Sequence, residues 1–371
     1  EGGPISRIYK VEAVNYWNSG KRKRSLGSVR KQQKITIHDI DIRRWVLQEN
    51  RKVQMEQFRA SNKWFWKFKQ AYTIVSCKTT KFITQNYNER ESDIKKSGAQ
   101  FVEQVKIFFR SHGGPNIFNS KQSGVQLEMH AGRTLSWKGE KKTEAIIQSA
   151  LSITHTYTIQ PLLSADGKLL SPLFIVLKEL GGKLGPRVQR TIFRASNVVV
   201  EASTSGKLTK ELLKTCGYDD KLIRELTPER KSLQFLTIPK HTTGFIQPLD
   251  VFGFRIWKNF VRKLSDLVLI LTININLQSR DTIIKIQSLV HNELSAPRYR
   301  NLFIYSWFRC GYVYNRPDYF SNPVEFCSNE LSSMIRSKCD CVVAVTCSSC
   351  RESLGLNHFV VDYHYCENYV E

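Results

Sequence analysis

The cysteines constrain this chain more than any other feature. Six of its nine, Cys327, Cys339, Cys341, Cys347, Cys350 and Cys366, lie in the last 45 residues, with His358 and His364 among them. A disulfide-stapled secreted fold spreads its cysteines along the chain. Thiols clustered with imidazoles at one end point instead to metal binding in a reducing compartment. Zinc takes four soft or borderline ligands at tetrahedral positions, and a Cys-x-x-Cys knuckle supplies two from one turn. Cys347-Ser-Ser-Cys350 is such a knuckle, and Cys339-x-Cys341, His358 and His364-x-Cys366 bring the candidate ligands to seven. Seven serve one site with spares or an incomplete pair. One zinc is expected, held by Cys347 and Cys350 with partners from His358, His364 and Cys366. Cys77, Cys216 and Cys310 stand alone and read as semi-buried packing residues.

With 371 residues the chain has room for two or three domains at roughly 150 residues each. Hydrophobic residues at 41 % and aromatics at 11 % support a real core and exclude wholesale disorder, collagen and coiled-coil fibre. The longest apolar stretch, near Leu267–Leu271, is too short to span a bilayer, and the opening residues have no signal-peptide core. A soluble intracellular protein is expected. Lys and Arg number 56 against 33 Asp and Glu, a net charge of +23, which points to a polyanionic partner, most often nucleic acid. The charge is uneven. Residues 1–84 carry 19 Lys and Arg against 6 acids, residues 85–316 carry 34 against 19, and residues 317–371 carry 3 against 8. A basic head, a basic body and an acidic tail imply at least three regions.

The head is aromatic as well as basic. Ile8, Val11, Ala13, Val14 and Trp17 share one helical face, Gly20 ends that helix, and Lys21, Arg22, Lys23 and Arg24 follow. Ser25 then caps a short second helix with Leu26 and Val29 inward and Arg30, Lys31 and Lys34 outward. Two short helices across a glycine turn fit a helix-turn-helix plan. A second unit opens at His38-Asp39 with Ile40, Ile42, Trp45, Val46 and Leu47 as its stripe. Ser61 is a candidate N-cap for a helix over 62–72, with Trp64, Phe65, Phe68 and Ala71 inward, Lys63, Lys67, Lys69 and Gln70 outward and Trp66 at the rim. Lys78 and Lys81 suit phosphates. Asp39–Trp45, Phe58–Ser61, Trp64–Lys69 and Val75-Ser76 together resemble the helix-turn-helix of centromere protein B and of pogo/Tigger transposases, and Ala13–Gly20 resembles the pipsqueak-type unit that often precedes it. The resemblance implies double-stranded DNA as partner, phosphates held by Lys21–Arg24, Lys78 and Lys81, bases read by Arg30, Lys63, Lys67 and Gln70, and a nuclear location.

In the body, residues 85–114 read as a linker and one amphipathic helix with Phe101, Val102, Val105, Ile107, Phe108 and Phe109 apolar, stopped by Gly113-Gly114-Pro115. Strand-like runs follow at 116–119, 145–153, 157–163, 169–177, 197–202 and 233–238, with a tight turn at Ala165-Asp166-Gly167 making 157–177 a hairpin. Gln247-Pro-Leu-Asp250 leads a helix over 252–264, and a further helix runs over 282–292. Such an order suggests a mixed-sheet α/β core. Between residues 116 and 265 it resembles the ribonuclease H-like DDE core of pogo/Tigger transposases, through Asn119…Gln122-Ser-Gly124, Gly132–Leu135, Ser164–Lys168, Ser205–Lys210, Leu226-Thr-Pro228 and Gln247–Asp250. In that family three acids hold two divalent cations that activate the attacking oxygen and stabilise the leaving one.

The acids of that pattern are largely missing. Lys121 stands where the resemblance expects the first Asp, and a cation there repels a metal. No apolar strand ending in Asp lies between Lys207–Glu211 and Leu226–Pro228, so the second-acid strand is absent. Asp250 alone remains in register. Asp219, Asp220, Asp166 and Glu140 are substitutes in principle, but read more simply as helix-start, turn and charged-run residues. The 197–202 strand is a candidate to fill the gap. The expected architecture is α+β and multidomain: an all-α helix-turn-helix head (1–36 and 37–85), a linker helix (86–114), an incomplete ribonuclease H-like α/β core (115–265), a helical extension (266–322) and a Cys/His-rich module (323–371). The expected function is a transposase-derived DNA-binding protein without endonuclease activity, with zinc bound, Mg²⁺ not productively bound, and a homodimer as one assembly. An active transposase and a non-catalytic chromatin platform are the rivals.

Overall fold

A computed structural model of the chain describes residues 42, 43, 46, 47, 50, 58–71, 74, 90–130, 146–149, 156–208, 234–329 and 343–370. Several expectations lie outside these residues: the first helix-turn-helix with Lys21–Arg24 and Arg30, and also Lys78, Lys81, Glu140, Asp219, Asp220, Cys339 and Cys341. The chain divides into two compact units, Glu1–Ile83 and Thr84–Glu371.

In the first unit, α1 spans Asn62–Ala71. Its start follows from Ser61, whose hydroxyl accepts the Trp64 N–H at 3.3 Å, the reciprocal geometry of an N-cap. Arg43 ties the preceding segment to that start, donating to Ala60 O (2.9 Å) and to Asn62 Oδ1 (2.8 Å). Trp64 meets Phe58 edge-on at 5.0 Å and stacks on Phe68 at 5.2 Å, while Phe65 is buried. Two expectations fail in detail. Ala71 is exposed and Leu47 is 39 % exposed, so the inward stripes are narrower than the sequence pattern suggested.

The second unit opens with α2 (Glu91–His112), which carries Glu91 and Asp93 in its first turn and Arg110 and His112 in its last, each favourable to the helix dipole. Ile94, Val102 and Val105 face the core, but Ile107, expected on the apolar face, is 62 % exposed. The sheet is built from β1 (Phe118–Ser120), β2 (Ser123–Gln126), β3 (Thr156–Ser164), β4 (Leu169–Lys178) and, beyond the short helix α3 (Pro186–Thr191), β5 (Val198–Ser203). The 157–177 hairpin is present as β3 and β4, antiparallel across the turn at Asp166-Gly167. Gly167 has φ +88°, and a Cβ there would collide with the Arg300 carbonyl, so the turn needs glycine twice over. β5 runs parallel to β4, with Leu173 opposite Val198. This places 198–203 on the edge far from β1. Residues 146–149 and 234–238, parts of two expected strands, are not strands.

Up to residue 329 the elements that follow are helical: α4 (Thr243–Ile246), a π-turn over Leu249–Gly253, α5 (Phe254–Ile270), α6 (Arg280–Leu294), α7 (Arg300–Arg309) and α8 (Pro323–Asn329). α5 buries Trp257, Phe260, Val261, Leu264 and Val268, a helical spacing that turns one face inward. A fully buried polar chain joins the layers. Trp257 Nε1 donates to Gln287 Oε1 (2.8 Å), and Gln287 Nε2 donates to the Tyr157 hydroxyl (2.6 Å). Because each partner is satisfied, these groups sit in the core without an unmade hydrogen bond. Trp307 is 3 % exposed and donates to Ser164 O, while Tyr305 and Phe308 are half-buried.

Candidate functional site

At the C-terminal end, β6 (Val345–Thr346) and β7 (Ser353–Leu354) form a two-residue ladder, and the connection 347–352 between them opens with Cys347-Ser-Ser-Cys350. Cys347 N donates to Glu352 O (2.9 Å) and Arg351 N to Cys347 O (3.0 Å), closing the knuckle. A π-turn over Asn357–Val361 buries Phe359 and Val360 and brings the chain back to His364 and Cys366. The ligand atoms of Cys347, Cys350, His364 and Cys366 then lie within 4.8 Å of one another, and Cys350 Sγ is 3.4 Å from His364 Nε2. Zinc bonds of about 2.3 Å to sulfur and 2.0 Å to nitrogen place two tetrahedral ligands roughly 3.6–3.8 Å apart. The Cys₃His set therefore fits a zinc ion in chemistry and in spacing. Cys347 is fully buried, and burial, with the Glu293 charge beside it, pushes its thiol up; burial also raises Cys366. Zinc reverses that preference by binding thiolates and releasing their protons.

His358, expected among the ligands, is outside the group. It lies on the π-turn, where its Nε2 is 3.9 Å from Asp362 Oδ2. Cys327 is also outside: it is buried on α8, its thiol is pushed up to about 12 by burial and the nearby Glu293 charge, and its sulfur is 3.4 Å from Ser348 Oγ.

The knuckle is not a free tail. Asn292 exchanges two hydrogen bonds with the Cys366 backbone (3.0 and 3.3 Å), Lys285 donates to Val361 O (2.8 Å) and Ser288 meets the Tyr363 hydroxyl (2.6 Å). All three come from α6. Sequence reading missed these residues and Glu293. The one available signal was a Glu four residues after Leu289, on the face that the helical pattern buries.

The second place of interest is the break between β1 and β2. Ser120 faces Leu162 and Ser123 faces Ile159 in one continuous register, so Lys121 falls opposite Pro161. Proline has no N–H to give the ladder, and the strand opens there. Asn119 Oδ1 accepts the Leu249 N–H (3.3 Å), and Gln247 Nε2 donates to Ser120 O (3.2 Å). These two bonds hold the start of the π-turn against the break. Asp250 Oδ2 consequently lies 3.3 Å from Lys121 Nζ, beside an open groove of about 440 Å³ lined by Ser120, Lys121, Gln122 and Gln160. Asp166 is elsewhere, in the hairpin turn, bound to Arg300 (2.7 Å) and Lys168 (3.5 Å).

On α1, Lys63, Trp66, Lys67 and Gln70 are exposed at spacings of three and four, one continuous face. Lys69 is half-buried, with its ammonium 5.5 Å from the Phe65 ring centre.

Residues 307–366 match the family model of the Tc5 transposase C-terminal domain, a stretch that begins within α7 and ends on Cys366. The chain is transposase-related in origin. The matched segment holds all four residues of the Cys₃His group. No curated protein and no solved structure matches the transposase-related chain. Among the described residues, no helix is long and apolar enough to cross a membrane.

Proposed function

We propose that this is a transposase-derived DNA-binding protein that does not cut DNA, acts in the nucleus and carries one structural zinc. The observation that carries the reading is the Lys121–Asp250 contact. A DDE-type centre needs carboxylate oxygens around two cations. At this position one carboxylate faces an ammonium at 3.3 Å, which neutralises it and occupies the cation's side of the pair. Mg²⁺ takes oxygen ligands in near-octahedral geometry, and this donor set does not fit it.

DNA binding is supported by the exposed Lys63–Gln70 face of α1 and by the +23 net charge. Such a face can enter a groove, with lysines replacing condensed counterions and Gln70 reaching a base edge. The resemblance to the centromere protein B-type helix-turn-helix and to the pogo/Tigger core adds to this reading. The test has two arms on the full chain. Plasmid and end-labelled duplex incubated with Mg²⁺ or Mn²⁺ stay uncut, whereas nicking that Asp250→Ala abolishes would overturn the claim of inactivity. Anisotropy titrations against duplex DNA at several salt concentrations show binding whose salt slope falls by about 0.9 for each phosphate-contacting lysine removed. An unchanged slope in a Lys63→Ala, Lys67→Ala variant would move DNA contact off α1. Binding with no sequence preference would favour the chromatin platform.

A further inference from the structure

We propose that Glu293 and Arg298 act as a positioning pair for the metal knuckle, gripping Ser348 from both sides of its peptide unit so that Cys347 and Cys350 are held ready for the ion. The proposal rests on the zinc reading of the Cys₃His group. Ser348 sits between the two knuckle cysteines, and every polar atom it has is engaged from the helical layer. Its N–H donates to Glu293 Oε2 at 2.6 Å, its carbonyl accepts from Arg298 Nε at 2.5 Å, and its hydroxyl meets the Tyr299 hydroxyl at 2.9 Å. Glu293 is 1 % exposed, and its other oxygen, Oε1, has no hydrogen-bond partner. A buried carboxylate with a spare oxygen is costly to keep, and it is spent on one backbone N–H of the knuckle. Arg298 Nη2 also donates to Val370 O at 3.0 Å, while Val370 N donates to Ser349 O at 2.8 Å, so the same arginine secures the strand leaving Cys366.

Groups that orient metal ligands without touching the ion typically change affinity by 10–100-fold when removed. The test is chelator competition for Zn²⁺ on the full chain, with Co²⁺ substitution as a spectroscopic readout of ligand geometry. Glu293→Ala is expected to weaken Zn²⁺ binding by about 10–100-fold and to shift or broaden the Co²⁺ d–d bands. Glu293→Gln keeps an oxygen that accepts the Ser348 N–H, and should restore affinity to within about threefold and bring back the native Co²⁺ spectrum. Arg298→Lys, which keeps the charge and loses the planar fork, should weaken binding by about tenfold, and decides the question if Glu293→Ala does not fold. Native affinity and spectrum in both Glu293→Ala and Arg298→Lys overturn the positioning role. A wild-type chain that binds neither Zn²⁺ nor Co²⁺ overturns the zinc reading itself, and the positioning role with it.

Discussion

Two places in the second unit gather ionisable side chains, and their chemistry differs. The C-terminal group keeps a complete Cys₃His donor set on a knuckle anchored to Glu293 of α6 and to Arg298 in the turn after α6. At the β1–β2 break, Asn119 and Gln247 hold the turn that carries Asp250, and that carboxylate faces the Lys121 ammonium instead of other metal-ligating groups. Hydrogen bonds to main-chain atoms survive a change of one side chain, whereas cation binding depends on the sign of each charge within a few ångströms.

The largest expected effect lies on the C-terminal side of this comparison. Cys347→Ser or Cys350→Ser should take the zinc content of reductively purified protein from about one per chain to near zero. Stability should fall by about 3 kcal/mol or more, near 10 °C in Tm, because the metal's binding energy is folding energy. Elemental analysis and calorimetry read both. A Tm that does not respond to zinc would make the C-terminal group as silent as the β1–β2 break.

The next effect concerns the polar core joining the sheet to the C-terminal segment. His291 is buried, with its ring nitrogens facing Asn197 Nδ2 (3.3 Å) and Leu170 O (3.2 Å). Burial lowers its pKa from 6.5 to about 4, so it is neutral in the native state. The unfolded chain takes up the proton first, so stability is complete above pH 6.5 and declines as the pH falls toward 4. The total amounts to about 3 kcal/mol. Urea titrations of zinc-free protein across that window should show the decline, and His291→Gln should flatten it.

At the β1–β2 break, Lys121→Asp puts a second carboxylate beside Asp250. Isothermal titration should then detect Mn²⁺ binding about tenfold tighter than in the native chain, still without cleavage. Equal Mn²⁺ binding by the two proteins would mean that the lysine is not what separates this site from the C-terminal one. Lys121→Met tests the pair as a structural contact. With side-chain exposures of 32 % and 24 % it is only half-buried, and its loss should cost less than about 1 kcal/mol in urea unfolding. The smallest effect is His358→Ala, which should leave zinc content unchanged because His358 faces Asp362 rather than the cysteines.

Much of the second unit was legible in the residues. The 157–177 hairpin follows from alternation around an Asp-Gly turn, and α5 and α6 from helical spacing. Strand β2 was missed because Lys121 and Gln122 interrupt its pattern, although the register runs straight through them. The expected strand at 233–238 is not a strand in its described part, since an apolar run becomes one only when a neighbour supplies its hydrogen bonds.

By itself the sequence determined what is chemically on offer: a basic, aromatic head, and thiols and imidazoles gathered at one end. These are matters of composition and spacing, which need no third dimension. Only the tertiary structure decided which groups meet. It chose His364 over His358, set Lys121 against Asp250 across 129 residues of chain, and placed Glu293 under Ser348 across 55. Those choices depend on where α5 and α6 pack against the sheet, and burial of apolar faces sets that packing before any polar partner is selected.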